Sequence, residues 1–373
     1  MSKKHITVLV SNDLEFDQRV AKVCATLEDI GFDITLVGRM LPTSKEFSRS
    51  YEIKRFSLFF QRGMFFYAAL NLRLFFYLLF KKTDVILSND LDTLLPAFLI
   101  SKWRRKQLVY DSHEYFTEAE GLTGRGVQKS VWLFIEKNIF PKLRDVITVN
   151  DSIASIYKEK YKVPIKVVRN IPFLKDAPVK SFREELNLPT DKKIILLQGA
   201  FIDPDRGGKE ALEAMQYLND VLLIIIGSGR EMPLLQEMAL TNTYKDKVKI
   251  LPKMPFEELR KYTMSCDLGL TLDKPLHLNY TLSLPNKLFD YIHCEIPVLG
   301  SDLPEIRNII QTYNVGWLVN EVSAKAIADA ANKALNDTSY PEKKSACKIA
   351  KEKLNWQKEA EVLREIYLPI FKS

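Results

Sequence analysis

Residues 221–239 read VLLIIIGSGREMPLLQEMA. The first six are apolar without a polar break, so no alternation by two marks a wet face. A strand written this way is buried on both sides, the condition inside a parallel sheet with helices on each face. Gly227, Ser228 and Gly229 then turn the chain, and the pattern predicts a helix over 231–240. Glycine suits a strand-to-helix turn because positive φ costs it little.

The same strand-then-helix unit recurs outward from this point. Before it stand KIILLQG (193–199) and a helix at 207–219. After it come KVKIL (247–251), a helix at 255–264, DLGLTL (267–272), a helix around 286–293, IPVLG (296–300) and GWLV (316–319). From Ala324 the tail reads as helical to its end. The first half repeats the rhythm with HITVLV (5–10), a helix from Asp17 to Ile30, DITLVG (33–38), DVILS (84–88), a helix near 92–103 and QLVYD (107–111). A helix ending near Arg144, DVITVN (145–150), a helix at 152–161 and IKVVRN (165–170) complete it. Residues 171–190, with three prolines and several charges, break the rhythm and are expected to be a linker. The fold class expected is α/β, with two doubly wound, Rossmann-like parallel-sheet domains in tandem. In such sheets ligands sit at the carboxyl ends of the strands, and paired sheets leave an interdomain cleft.

A chain of 373 residues is long for one core, and 46% hydrophobic content lets each half bury its own. The net charge of +7 suits anionic partners but is common among soluble enzymes. Basic residues read as scattered and interleaved with acids, which argues against nucleic acid. Cys24, Cys266, Cys294 and Cys347 lack metal-ligand spacing and read as reduced thiols of a cytoplasmic protein. MSKKHITVLVSND turns polar too soon for a secretory leader.

Residues 54–82, KRFSLFFQRGMFFYAALNLRLFFYLLFKK, are dense in Phe and Tyr but interrupted by Gln61, Arg62, Asn71 and Arg73. Their uninterrupted apolar runs are too short to span a bilayer. The expectation is a buried helix or helix hairpin of the core. The other reading is peripheral membrane contact, with basic ends snorkelling at a lipid surface.

Among chemical signals, Gly227 and Gly229 lack the third glycine of a dinucleotide fingerprint, and there is no P-loop and no cluster of metal ligands. GAFIDPDRGGKEALEAM (199–215) is more telling, because Arg206 and two glycines open a helix after a strand that ends at Gly199. Arginine beside free helix-start N–H groups makes an anion site. In SLPNKLFDYIHCEIPVLGSDLPE (283–305), Pro285 and Asn286 start a helix. Lys287 sits in its first turn, where a cation is unfavourable unless an anion is near. Asp290, three residues on, suits ribose hydroxyls beside such a phosphate. In YDSHEYF (110–116), His113 stands at the end of a strand, as a catalytic or binding group or as an ordinary loop histidine.

Taken in order, eight pieces resemble the retaining glycosyltransferases of family 4 (glycosyl transferases group 1). They are DQRVAKVCATLEDIGFDITLVG, VYDSHEYF, VITVNDSIASIY, VVRNIP, LLQGAFIDPDRGG, IIGSGREMPLLQEMA, MPFEELRKYTMSCDLGLTL and LPNKLFDYIHCEIPVLGSDLPEI. The resemblance covers nearly the whole chain. It implies a GT-B fold with an acceptor-side domain over 1–170, a linker at 171–190 and a nucleotide-sugar domain over 191–352. A final helix over 353–373 would cross back to the first domain. It implies transfer from a nucleotide-diphosphate sugar to a glycan or lipid-linked acceptor with retention, without a metal ion and with no cofactor beyond the donor.

By the same resemblance His113, Arg206 and Asp290 are the catalytic candidates. Gly199, Arg206, Gly227, Gly229, Asn286, Lys287, Leu288 and Asp290 fall on the donor side, and Asn12, Asp13, Asp17, Arg19, His113 and Glu114 on the acceptor side. Three places depart from the family pattern. Leu282 stands where the first acid of E-x7-E would be, Ala200 where a basic residue is common, and SNDLEFDQRV lacks paired glycines. A non-catalytic sugar-nucleotide or polyanion binder and a sugar-nucleotide epimerase are the alternatives. The expected location is cytoplasmic, at the inner face of the cell membrane should 54–82 touch lipid.

Overall fold

The structure is a computed structural model that describes residues 3–15, 17–119, 122, 124–175 and 178–372. The chain divides into two compact units, residues 1–170 with 358–373, and residues 171–357.

Unit 1 runs β1 (His5–Asp13), α1 (Gln18–Ile30), β2 (Asp33–Met40), β3 (Glu52–Ser57), α2 (Gly63–Phe80), β4 (Val85–Asn89), α3 (Leu91–Trp103) and β5 (Gln107–Ser112). Next come α4 (Gly126–Ile139), β6 (Asp145–Thr148), α5 (Asp151–Tyr161) and β7 (Ile165–Val167). The sheet is parallel throughout in the order β3-β2-β1-β4-β5-β6-β7. The direction of winding reverses between β1 and β4. Right-handed crossovers then place α1 on one face and α2, α3, α4 and α5 on the other. β1 and β4 show why the sequence reads as it does: Ile6, Val8, Leu9, Val85, Ile86 and Leu87 are all buried between two helix layers. Residues from Lys358 on belong to unit 1, with Phe371 against Gly31, Tyr367 edge-on to Phe32, and Lys4 Nζ donating to the Ile370 carbonyl at 2.9 Å.

Unit 2 runs β8 (Lys193–Gly199), α6 (Gly208–Ala214), β9 (Val221–Gly227), α7 (Met232–Ala239), β10 (Val248–Pro252), α8 (Phe256–Met264) and β11 (Leu268–Thr271). It continues with α9 (Leu278–Thr281), α10 (Asn286–His293), β12 (Val298–Ser301), α11 (Pro304–Tyr313), β13 (Gly316–Val319), α12 (Ala324–Leu335) and α13 (Tyr340–Lys351). A helix α14 (Trp356–Lys372) ends the chain. The second sheet is also parallel, in the order β10-β9-β8-β11-β12-β13, and reverses between β8 and β11. It separates two apolar clusters, one under α6, α7 and α12, the other under α10, α11 and α13.

Two expectations change. Residues 171–190 belong to unit 2: Ile171 and Leu188 enter its core, and Arg183 pairs with Asp267 at 2.6 Å while donating to the Ser265 carbonyl at 2.9 Å. The 54–82 stretch is neither a hairpin nor a buried helix. Its first residues complete the edge strand β3, and of α2 only Phe66, Leu70, Leu74 and Leu78 are buried. From Ala324 the tail is helical as expected, in three helices, α12 to α14.

Candidate functional site

In unit 1 the polar side chains gather where the order reverses, at the carboxyl ends of β1, β4 and β5. The Nδ2 of Asn89 donates to the Leu9 carbonyl at 2.9 Å, which turns its Oδ1 toward His113 Nε2 at 3.1 Å. That nitrogen must therefore carry a proton. The other ring nitrogen lies 3.4 Å from Asp90, and Nε2 is also 3.5 Å from Asp111. The His113 backbone N–H donates to Asp90 Oδ1 at 2.8 Å, fixing the ring's base as well as its rim. Burial alone would lower the His113 pKa, but the Asp90 and Asp111 carboxylates outweigh it and hold it at about 9. The ring is an imidazolium at neutral pH, with one-fifth of its side chain exposed. Burial and the Asp90 carboxylate push Asp92 up to about 7, so this acid keeps a proton part of the time at neutral pH.

The acceptor-side candidates separate. Arg19 is a correction: it is 4% exposed, and its fork grips Asp111 at 2.7 and 3.1 Å and the Val168 carbonyl at 2.7 Å. Its bonds hold Asp111 from two sides, so Arg19 positions Asp111 and, through it, His113. Burial opposes the Asp111 charge, yet Arg19 and His113 hold its carboxyl well below the usual range. Asp17 caps α1, accepting from the Val20 N–H at 3.0 Å, and takes a bond from Asn12 Nδ2 at 3.0 Å. Asp13 accepts from Ser44 Oγ and lies 3.8 Å from Arg55. Asn12 is exposed at the strand end, and Glu114 is half-buried beside His113.

Unit 2 has its own cluster at the ends of β8 and β11. Asp273, fully buried just past β11, lies 3.0 Å from Arg206 Nη1 and 3.9 Å from Lys287 Nζ. Arg206 sits in a 3-10 turn over Pro204–Arg206, and its guanidinium lies 4.4 Å from the centre of the Tyr280 ring. Lys287 is in the first turn of α10 with 11% of its side chain exposed. Burial pulls the lysine pKa down, Asp273 opposes this, and the neighbouring Arg206 adds to it. Two cations thus share one carboxylate, and the cluster favours an added anion.

The scaffold of this cluster is specific. Tyr291, one residue past Asp290 on α10, donates from its buried hydroxyl toward the Leu196 and Leu270 carbonyls at 3.0 and 3.1 Å and accepts from the Gln198 N–H at 3.2 Å. It ties α10 to β8 and β11. Gln198 Nε2 donates to Asp290 Oδ2 at 3.3 Å, and its Oε1 accepts from Thr263 at 2.7 Å. Asp290 is half-buried next to the end of β8.

Gly199, Gly227 and Gly229 lie together in two adjoining strand-end turns. A Cβ on Gly227 would stand 2.1 Å from the Gly199 carbonyl, and one on Gly229 2.3 Å from the Ile202 carbonyl. Asn286 is exposed at the start of α10. Leu288 is a second correction: its side chain is in the core and its N–H is bonded to the Pro285 carbonyl at 3.1 Å. Leu282 is also buried.

Sequence reasoning missed Asn89, Asp90, Asp111, Gln198, Asp273 and Tyr280. A signal existed for two of them, because VILSND (85–90) repeats the VLVSND (8–13) of the first strand. Asp273 follows an apolar strand as any loop acid does, and nothing in its neighbours marks its burial.

Residues 179–353 match the family model of Glycosyl transferases group 1, a segment that covers most of unit 2. No curated protein matches the sequence. Among solved structures, the sucrose-phosphate synthase (tll1590) from Thermosynechococcus elongatus is similar, with a TM-score of 0.80, 18% identity, and 99% of this chain and 100% of that one covered. Anabaena Alr3699/HepE, solved in complex with UDP and glucose, gives a TM-score of 0.72 at 15% identity, with 97% and 98% covered. The lipopolysaccharide glycosyltransferase WaaG gives 0.66 at 12%, with 97% and 99% covered. At these identities the likeness is one of fold, the paired Rossmann-like sheets of the GT-B type.

Proposed function

We propose that the chain is a retaining glycosyltransferase that moves a hexose from a nucleoside-diphosphate sugar to a glycan or lipid-linked acceptor, without a metal ion. One observation carries this reading: Arg206 and Lys287 converge on the single buried carboxylate Asp273 at the ligand-binding edge of the unit 2 sheet. The family match over 179–353 and the UDP and glucose held by a protein of the same fold support the choice of donor.

Cleavage of the sugar–phosphate bond sends a bonding pair to the leaving diphosphate and leaves an oxocarbenium-like sugar. Arg206 and Lys287 stabilise the growing negative charge, a task for fixed cations in a partly dry site. Asp290, held by Gln198, takes the ribose hydroxyls. His113 enters as a cationic donor toward sugar hydroxyls and not as a base, because both its ring nitrogens already carry protons. The acceptor oxygen bonds to the anomeric carbon, and the leaving phosphate takes the acceptor's hydroxyl proton.

The test is a thermal-shift series with UDP, ADP and GDP, followed by release of the diphosphate from the matching hexose donor. A nucleotide at a hundred times its Kd raises stability by about 2.7 kcal/mol. Release that depends on a glycan or lipid-linked acceptor is the expected result. Tight nucleotide binding with no release under any acceptor favours the binder reading, which draws on the buried Leu282 at the position of the motif acid.

A further inference from the structure

The helix layer formed by α2, α3 and α4 has an outer face that no described residue of unit 1 covers. Neighbouring helices in it are joined: Tyr67 of α2 meets Trp132 of α4 edge-on at 5.2 Å, and Arg104 after α3 donates to the Leu78 and Lys81 carbonyls at the end of α2. Large apolar side chains stand outward along it. Phe59 is 92% exposed, Phe65 66%, Phe80 81%, Trp103 67% and Phe134 69%. Leu72, Phe76, Leu99, Val127 and Val131 lie among them, also exposed. Scattered exposed apolar residues need no explanation, but three adjacent helices sharing the habit do.

The stretch that carries this layer is also basic. Residues 52–144 hold fifteen Lys and Arg against nine acids, and Lys81, Lys106 and Lys129 pair with Glu52, Asp84 and Glu118. Glu136 is 1% exposed and spent on Lys160 and Tyr161. The stretch therefore carries +6 of the chain's +7, so most of the excess of basic residues lies here. At the far end of α3, Phe98, Lys102, Arg105, Lys106, Lys142 and Arg144 line a hollow of about 260 Å³ in which Asp145 is the one acid.

We propose that the α2–α3–α4 face of unit 1 docks on an anionic lipid bilayer, with Phe59, Phe65 and Trp103 at the headgroup boundary and the flanking lysines and arginines on lipid phosphates. Of the described helices, α2 alone is long and apolar enough to cross a membrane. It does not cross, because Phe66, Leu70, Leu74 and Leu78 are buried against the body of unit 1, and Asn71 donates to the Asp92 carbonyl at 2.8 Å. It lies along the surface instead, as an interfacial helix does. A second copy of the chain would bring this basic face against itself. A nucleic acid would match the charge but leave Leu72, Leu99, Val127 and Val131 in water. A bilayer with acidic headgroups satisfies both features.

The experiment is co-sedimentation with vesicles of equimolar phosphatidylcholine and phosphatidylglycerol, and with phosphatidylcholine alone. The protein pellets with the anionic vesicles at low salt, is released by high salt, and stays in solution with the neutral ones. Combined Arg62→Glu, Lys82→Glu and Lys102→Glu weakens vesicle binding by roughly a hundredfold. Phe59→Ser with Phe65→Ser weakens it with the charges intact. All five positions lie outside both clusters above, so nucleoside diphosphate binding by unit 2 is unchanged in these variants, and a cooperative urea transition at the wild-type midpoint reports that unit 1 folds. Vesicle binding therefore stands or falls apart from the transferase reading. No sedimentation at low salt, sedimentation indifferent to both sets of substitutions, loss of a dimer in those variants, or binding of a single-stranded oligonucleotide in place of vesicles overturns the proposal.

Discussion

Asn89, Asp90 and Asp111 all turn oxygens toward the ring of His113, and this fixes its charge before any substrate arrives. Its folded pKa lies above the ordinary value of 6.5, at about 9. The stabilisation is therefore complete below pH 6.5 and is lost as pH rises through 9. It is worth roughly 3 kcal/mol. Urea unfolding of the wild type and of His113→Asn should differ most at pH 6 and converge above pH 9.5. A gap that widens with pH would show a neutral ring. Arg19 makes the complementary case. Arg19→Met leaves Asp111 buried without its main partner and should cost about 3–5 kcal/mol, read as a lower urea midpoint. A variant of normal stability with a raised acceptor KM would return Arg19 to the ligand. In the sequence Arg19 looks like a cation at a helix start. Its partner is 92 residues away, and only the tertiary fold brings the two together.

At the scale of elements, legibility followed burial pattern. β8 and β9 announce themselves because both of their faces are dry. The edge strand β3, EIKRFS, escapes notice because it alternates exposed and half-buried residues with three charges among six. The anion cluster was half legible. Arg206 and Lys287 stand out as cations at helix starts, whereas Asp273 and Tyr291 draw their roles from contacts made across the sheet. Tyr291 also explains Gly269, where a Cβ would lie 2.3 Å from the ring. Gly269→Ala should cost about 1–3 kcal/mol by overpacking and shift α10, weakening nucleotide binding along with stability. Gly126→Ala, at the exposed start of α4 with no atom within 4 Å of the added carbon, should be neutral in the same urea titration. Equal effects at the two positions would refute the packing account of α10.

For the whole molecule, each sheet reverses direction once, and each reversal is lined with charged side chains: His113 with its acids in unit 1, two cations on one acid in unit 2. The first cluster suits polar hydroxyls, the second an anion. On the proposed reading Arg206 and Lys287 supply the positive charge a departing diphosphate needs, so turnover should persist in EDTA. Activity abolished by the chelator and restored by magnesium or manganese would assign that work to a metal. The central claim, that unit 2 holds a nucleoside diphosphate on these two cations, is tested most directly by calorimetric titration of UDP, ADP and GDP into the wild type and into Arg206→Ala with Lys287→Ala. The account predicts saturable binding of at least one nucleotide by the wild type. Each charge-assisted contact removed should cost about 1.5–3 kcal/mol, so the double variant should bind at least a hundredfold more weakly. Binding of equal strength in both proteins, or of none of the three nucleotides to the wild type, would contradict it.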